Sequence, residues 1–392
     1  MAPINVLVVD DSAFMRHAIG RILGDADGIV VVGSAANGEQ GLALARELRP
    51  DVITLDVEMP VLDGLGMLRR LMVETPTRVV MLSSLTTAGA AVTLDALDAG
   101  AIDFTAKPGG SLSIDVGRVG EELVAKVRAA AAVSEASFLA HRGRIAARRR
   151  TAVSAGAALP PATARAAGAR PRGTVACRKL VVIASSTGGP GALHVLVSHL
   201  PAHLGAGVLI VQHMPPGFTA SLAQRLGSAG HLSAREAAAG DVLAEDEIVL
   251  APGDHHLISS ISGRVQLVQL PPVNGVRPAA DVTLQSVAPA WRDRLLCVVL
   301  TGMGSDGREG ARVVKSHGGT VFAQDEASST IYGMPAAVAE AGLADRIVPL
   351  DRMADAIAGW VIGQDRVLVP AGGAVGASWA TPPGSWDRTW PR

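Results

Sequence analysis

Ile4-Asn5-Val6-Leu7-Val8-Val9-Asp10-Asp11 is a β-branched run closed by two carboxylates. A near-continuous apolar run of that length suits a strand covered on both faces, as in a parallel sheet. The pattern recurs downstream. Val52-Ile53-Thr54-Leu55 ends on Asp56, and Lys107-Pro108 closes a run near 102–105. Working outward, strands are expected at 4–9, 29–34, 52–56, 78–82 and 102–105. Helical patterns lie between them near 13–24, 38–48, 64–73 and 88–99, with another near 115–131. Five βα units predict a doubly wound parallel sheet. Ligands gather at the carboxyl ends of such strands, and Asp10, Asp11, Asp56, Ser83 and Lys107 all fall there.

Three clustered carboxylates repel one another by several kcal/mol, which a small cation relieves. Asp10, Asp11 and Asp56 suit Mg²⁺, a hard ion that takes few carboxylates and keeps several waters. Asp56, alone at the end of the middle strand, is the expected phosphoryl acceptor. Lys107 is placed to neutralise phosphoryl oxygens and Ser83 to donate a hydrogen bond to one. Any one of these residues alone reads better as a solvated sheet edge. Five at matching strand ends read as a phosphoryl site.

From about 134 to 176 the alternation dissolves into alanine, arginine, proline and glycine. The early part is able to continue the preceding helix, and the later part, with Pro160-Pro161 and Pro171, reads as a flexible linker. Arg142, Arg144, Arg148, Arg149 and Arg150 lack the interleaved aromatics that stack on bases, so no nucleic-acid partner is expected. Strands resume at 179–185, 207–212, 247–251, 295–301, 319–323 and 346–348, with helices over 281–290 and 334–341. After Val369 comes a Gly/Pro/Ala tail carrying Trp379, Trp386 and Trp390, expected to be disordered.

The 392 residues suit two domains and linkers, with 48% apolar and 18% charged residues. The 35 basic and 36 acidic residues nearly cancel, which argues against a global pull toward nucleic acid or membrane. Cys177 and Cys297 form neither a disulfide framework nor a zinc spacing, as suits a reducing cytoplasm. No signal peptide or membrane span is expected.

In the second half, Val181-Val182-Ile183-Ala184 runs into Ser185-Ser186-Thr187-Gly188-Gly189-Pro190. The glycines allow a sharp turn and Pro190 opens a helix, which sets Ser186 beside amides that stabilise an anion. His213 closes the next strand in Gln212-His213-Met214-Pro215-Pro216-Gly217, placed to take and return a proton. Asp306, in Thr301-Gly302-Met303-Gly304-Ser305-Asp306-Gly307, supplies an acid to orient the imidazole. Singly these are a cap, a turn histidine and a loop carboxylate; at three strand ends they are a nucleophile, a base and an orienting acid.

Two rival readings compete. Asp254, His255 and His256 suggest a metal site, but adjacent side chains seldom converge on one ion. Residues 302–307 also spell G-x-G-x-x-G, with Asp325 and Glu326 at a ribose-binding distance, as in a nicotinamide-dependent oxidoreductase. Asp306 would then set a carboxylate against a pyrophosphate, and Ser186 and His213 would be left without a role. A non-catalytic, phosphorylation-dependent regulator is a third possibility, supported only by the arginine run.

Residues 3–130 resemble a two-component response-regulator receiver domain through Val9-Asp10-Asp11-Ser12, Leu55-Asp56-Val57-Glu58-Met59-Pro60, Asp63-Gly64 and Lys107-Pro108. The resemblance implies a flavodoxin-like fold and Mg²⁺-dependent phosphorylation of Asp56 by a sensor histidine kinase, with Ser83 and Phe104 as switch positions. Residues 177–365 resemble the catalytic domain of the chemotaxis protein-glutamate methylesterases, the CheB family. Ser185-Ser186-Thr187-Gly188-Gly189, Gln212 to Phe218, Thr301 to Gly307, Ala323-Gln324-Asp325-Glu326 and Gly333-Met334-Pro335 carry that match. It implies a Rossmann-like fold with Ser186 as nucleophile, His213 as base and Asp306 as orienting acid. Thr187 would lie beside the nucleophile and Met303 at the oxyanion site.

The implied reaction is hydrolysis of glutamyl methyl esters, and deamidation of glutamines, on methyl-accepting chemoreceptors. It needs no catalytic metal. The enzyme would be cytoplasmic and peripheral to receptor arrays. Ala184 departs from the glycine common at that position. The expected layout is a receiver over 1–131, a flexible linker over 132–176, a catalytic domain over 177–365 and a tail over 366–392.

Overall fold

The computed structural model describes residues 2–84, 86–107, 116–154, 176–260 and 262–363. Pro108, the later part of the expected linker and the tryptophan-bearing tail lie outside these.

The first sheet contains β1 (Ile4–Val9), β2 (Ile29–Ala35), β3 (Val52–Asp56), β4 (Arg78–Ser83) and β5 (Asp103–Ala106). Its order is β2-β1-β3-β4-β5, with every pair parallel. The chain leaves β1 toward β2 on one side and returns as β3 on the other. The gap that this reversal opens lies at the carboxyl ends of β1 and β3, where Asp10 and Asp56 emerge. Val6 to Val9 and Val52 to Asp56 are essentially inaccessible to solvent. Each such Val or Leu contributes about 1.5–3 kcal/mol of burial, so the register of the central strands is strongly held.

Helix starts follow local capping. Ser12, Asn37, Asp63 and Thr86 each accept a hydrogen bond from a backbone N–H in the first turn of the helix that follows. Gly64 has a stricter role. A Cβ there would stand 1.9 Å from the Asp56 carbonyl oxygen, so only glycine lets this helix start against the end of β3.

The second sheet takes up β6 (Leu180–Ser185), β7 (Gly207–Gln212), β8 (Ser233–Glu236) and β9 (Glu247–Leu250). A separate antiparallel hairpin follows, β10 (His256–Ser259) with β11 (Val265–Val268). The sheet is completed by β12 (Leu295–Val299), β13 (Thr320–Gln324) and β14 (Arg346–Val348). Its order is β14-β13-β12-β6-β7-β9-β8, again all parallel. The three central strands, β12, β6 and β7, lead into the turns that carry Asp306, Ser186 and His213.

Several elements go beyond the sequence expectation. β8, β10 and β11 are four residues each, too short for an apolar alternation to stand out. The segment expected as linker begins with a helix, Glu135–Ser154, that buries Phe138 and Ile145. The Arg78 guanidinium covers the Phe138 ring at 5.1 Å, and Arg142 donates to the Met72 carbonyl at 3.0 Å. Two apolar anchors among so many polar residues give almost no periodic signal, which hid this docking.

The two sheets share a boundary. The helix Thr87–Ala99 lies against the helices Gly189–His199 and Phe218–Ala229. Arg225 reaches Asp95 at 2.7 Å, Asp98 at 3.2 Å and the Ala91 carbonyl at 2.7 Å. The Phe104 and Phe218 rings stack with centroids 4.6 Å apart. No described helix is long and apolar enough to cross a membrane.

Candidate active site and phosphorylation site

At the first sheet's carboxyl edge, ligand-capable oxygens of Asp10, Asp11 and Asp56 lie within 4.8 Å of one another. Asp10 and Asp56 are buried and Asp11 is exposed. Asp10 Oδ2 and Asp56 Oδ2 are buried, with no hydrogen bond from any described group other than the Lys107 ammonium. The Lys107 ammonium faces both, 3.2 Å from Asp10 and 2.6 Å from Asp56. Burial pushes the Asp56 carboxyl up to about 6; Lys107 opposes that shift and Asp10 adds to it. Burial pulls the Lys107 ammonium down, but its two carboxylate partners outweigh this and hold it above its ordinary value. Two buried carboxylate oxygens faced only by Lys107, beside a third exposed carboxylate, fit a hard divalent cation.

Ser83 is buried, with its hydroxyl engaged: it donates to the Ser84 carbonyl at 3.1 Å and accepts from Thr93 at 2.7 Å. Phe104 is buried under Phe218, and Lys126 lies 5.2 Å from its ring centroid. Both expected switch positions thus sit between Asp56 and the boundary with the second sheet.

At the second sheet, His213 Nε2 lies 2.7 Å from Asp306 Oδ2. Ser186 is half-buried on the adjoining strand end, and its N–H donates to the Thr301 carbonyl at 3.1 Å. Among the described residues, Ser186 Oγ makes no hydrogen bond to His213. Such contacts commonly tighten only with substrate in place.

Gln212 aligns Ser186 and His213. Its Nε2 donates to the Ser186 carbonyl at 3.0 Å and the His213 carbonyl at 3.1 Å, while Oε1 accepts from Ser185 Oγ at 2.7 Å. All three groups of a buried amide are satisfied, and two strand ends are locked in register. Gly302 brings in the third strand: a Cβ there would lie 2.8 Å from Ser186 Cβ. The half-exposed Met303 follows it at the mouth of the site.

Asp306 is buried. Burial alone would raise its carboxyl, but the contact with His213 and the amides of Asp281 and Ala280 hold it below the usual carboxylate range. A third partner belongs to the other half of the chain. Thr187, next to Ser186, donates from Oγ1 to Asp103 Oδ2 at 2.5 Å. Asp103 ends no apolar run and Phe218 closes a motif, so neither carries a local sequence signal for a contact between the halves.

The rival sites take other forms. Asp254 pairs with Arg277, His256 Nδ1 accepts from the Ala279 N–H at 3.2 Å, and Nε2 lies 3.1 Å from the Pro271 carbonyl. The glycine-rich turn at 302–307 does lead into a helix, Arg308–Ser316. The Gly307 and Gly310 amides that would receive a pyrophosphate are already bonded to Asp281 Oδ1, at 2.9 and 2.7 Å. Asp325 accepts from the Ser328 backbone rather than facing an open cleft.

Residues 181–357 match the family described as CheB methylesterase, and residues 6–114 match the response regulator receiver domain. The chain is 49% identical over 360 residues to the protein-glutamate methylesterase/protein-glutamine glutaminase of Symbiobacterium thermophilum, covering 91% of this chain and 96% of that one. It is 42% identical over 349 residues to the protein of the same name from Thermotoga maritima, covering 88% and 95%. The crystal structure of the Thermotoga maritima CheB methylesterase catalytic domain aligns at 42% identity with a TM-score of 0.45, over 46% of this chain and 98% of that one.

Proposed function

Because the chain belongs to the CheB family of protein-glutamate methylesterase/protein-glutamine glutaminases, with a receiver domain ahead of its methylesterase domain, we propose that Ser186, His213 and Asp306 carry out its hydrolysis. The protein is an enzyme, a methylesterase and glutaminase under the control of a response-regulator domain. The observation that carries the assignment is the 2.7 Å contact of His213 Nε2 with Asp306 Oδ2, one strand away from Ser186.

In this reading His213 takes the Ser186 proton as Oγ attacks the ester carbonyl of a methylated glutamate. The imidazolium that forms is stabilised by Asp306 and returns the proton to the departing methanol. Water, deprotonated by the same ring, then releases the glutamate. A glutamine side chain follows the same route with ammonia as leaving group. Thr187 and Met303 flank the carbonyl oxygen's site. Replacing Asp306 by Asn should lower kcat by about 10³- to 10⁴-fold with the fold intact. Methanol release from methylated chemoreceptor membranes measures this, and an unchanged rate would remove Asp306 from the triad.

The substrates are methyl-accepting chemoreceptors and the phosphodonor is a sensor histidine kinase. The enzyme works on the cytoplasmic side, peripheral to the receptor arrays. Asp10, Asp11 and Asp56 would hold the Mg²⁺ of the receiver, which when bound offsets charge on the phosphoryl oxygens. Asp56 takes the phosphoryl group and Lys107 pairs with it, while Ser83 and Phe104 relay the change. The layout is a receiver over 1–131, a connecting segment over 132–176 whose first part is helical, a catalytic domain over 177–365 and a tail over 366–392. The unphosphorylated receiver restrains the catalytic strand ends, and phosphorylation of Asp56 shifts the population toward a released form. The Asp103–Thr187 bond supports this restraint.

A further inference from the structure

Two helices begin beside the triad without side-chain caps of their own, Ala280–Trp291 after Ala279 and Arg308–Ser316 after Gly307. Each is capped by the other's acid. The Ala280 N–H donates to Asp306 Oδ2 at 2.6 Å and the Asp281 N–H to Asp306 Oδ1 at 3.0 Å. In return, Asp281 Oδ1 accepts from the Gly307 N–H at 2.9 Å and the Gly310 N–H at 2.7 Å. Both carboxylates are almost wholly buried. Asn274 Nδ2 donates to the second Asp281 oxygen at 3.1 Å.

We propose that Asp281 is a positioning residue for the reaction, holding the turn that carries Asp306 so that its Oδ2 stays aimed at His213 Nε2. The inference rests on the triad reading. Asp306 has no freedom to hold itself: the residue after it enters a helix through Gly307, whose N–H is fixed by Asp281. A buried N–H without an acceptor costs about 1–3 kcal/mol, so removing the Asp281 carboxylate leaves two amides that must find new partners by moving. Movement of that turn displaces Asp306 directly. Two buried carboxylates in contact would ordinarily repel, and the positive ends of two helices offset this. Burial, then the neighbouring Asp306, push the Asp281 carboxyl above its usual range.

The arrangement separates orientation from simple stability. Asn at 281 keeps an Oδ1 acceptor for both amides; Ser is too short to reach both, and Ala offers none. The test is methanol release by full-length Asp281→Ala, Asp281→Ser and Asp281→Asn enzymes, assayed well below each melting temperature. Asp281→Ala and Asp281→Ser should lose about 10- to 100-fold in kcat with KM nearly unchanged, and Asp281→Asn should recover most of that loss. The ring N–H proton that His213 shares with Asp306, followed by proton NMR, should move or broaden in the Ala and Ser enzymes and less in the Asn enzyme. If Asp281→Ala does not fold, Asp281→Ser carries the same test. A folded Ala or Ser enzyme with kcat within about twofold of the parent and an unmoved resonance overturns the proposal. Asp306→Asn is run alongside: if it too keeps full activity, the triad reading has failed, whereas loss in Asp306→Asn alone rejects only the role of Asp281.

Discussion

Thr187 Oγ1 and Asp103 Oδ2 are hydrogen-bonded at 2.5 Å, joining the residue after the expected nucleophile to the fifth strand of the receiver. Both residues are buried. Asp103 is also 3.7 Å from the Lys126 ammonium, which in turn pairs with Glu122 at 2.8 Å. The receiver therefore touches the catalytic turn through a charge-assisted bond, one residue from the atom proposed to attack. Hydrogen bonds to charged groups contribute about 1.5–3 kcal/mol, enough to shift a two-state equilibrium by about 10- to 100-fold.

Asp103→Ala should accordingly raise demethylation by the unphosphorylated enzyme. Lys126 keeps Glu122 as a partner, so the fold should survive the change. The comparison is the basal methanol-release rate of the variant and the parent without phosphodonor. A basal rate equal to the parent's would show that this bond does not restrain the site.

The same boundary is held by Arg225, which bridges Asp95 and Asp98. Reversing its charge with Arg225→Glu sets three carboxylates together and should also raise the basal rate. The effect should shrink as salt is added, because these charges are partly exposed. A rate insensitive to the substitution at low salt would exclude the helix contact as part of the restraint.

Acid should weaken the catalytic half through His256. Its ring is buried with Nδ1 accepting from the Ala279 N–H, which requires the neutral form. Burial, aided by the Arg277 charge, pushes its pKa below the ordinary 6.5. A group whose folded pKa is lowered gives stability that is full above its unfolded pKa and lost as pH falls through the folded one. Unfolding free energy should thus drop between pH 7 and pH 5, and drop less in His256→Asn. Parallel profiles for the two proteins would contradict this.

Val61 points to a stabilising change. It sits at φ 70° and is 83% exposed, in a tight turn closed by the Leu62 N–H on the Pro60 carbonyl. A β-branched residue in the left-handed region is strained by roughly 1–2 kcal/mol. Val61→Gly removes the strain at some cost in chain entropy, and should raise stability by up to about 1 kcal/mol in urea unfolding. A lower midpoint would refute it.

The sequence announced most of the strand ends because parallel strands buried on both faces leave an apolar run and a polar residue where it stops. Asp56, Ser186 and His213 stood out for that reason, and Asp306 through the glycine-rich turn that follows β12. Coupling between the halves did not. Asp103 begins β5 rather than ending it, and Phe218 opens a helix; nothing in either local pattern says that Phe104 and Phe218 stack. Asp281 was hidden differently. An acidic residue in a first helical turn is common, and only the fold shows that it caps a second helix. That the Asp56 carbonyl crowds Gly64 and Ser186 crowds Gly302 shows only in the fold.

Ser186 is the residue proposed to attack the ester. The direct measurement is methanol release from methylated chemoreceptor membranes by full-length Ser186→Ala, with Mg²⁺ and a phosphodonor present, and phosphorylation of Asp56 followed in the same sample. No release above the enzyme-free rate, together with normal phosphorylation, is expected. Release at the parent rate would contradict this role of Ser186 and would place the chemistry on another residue.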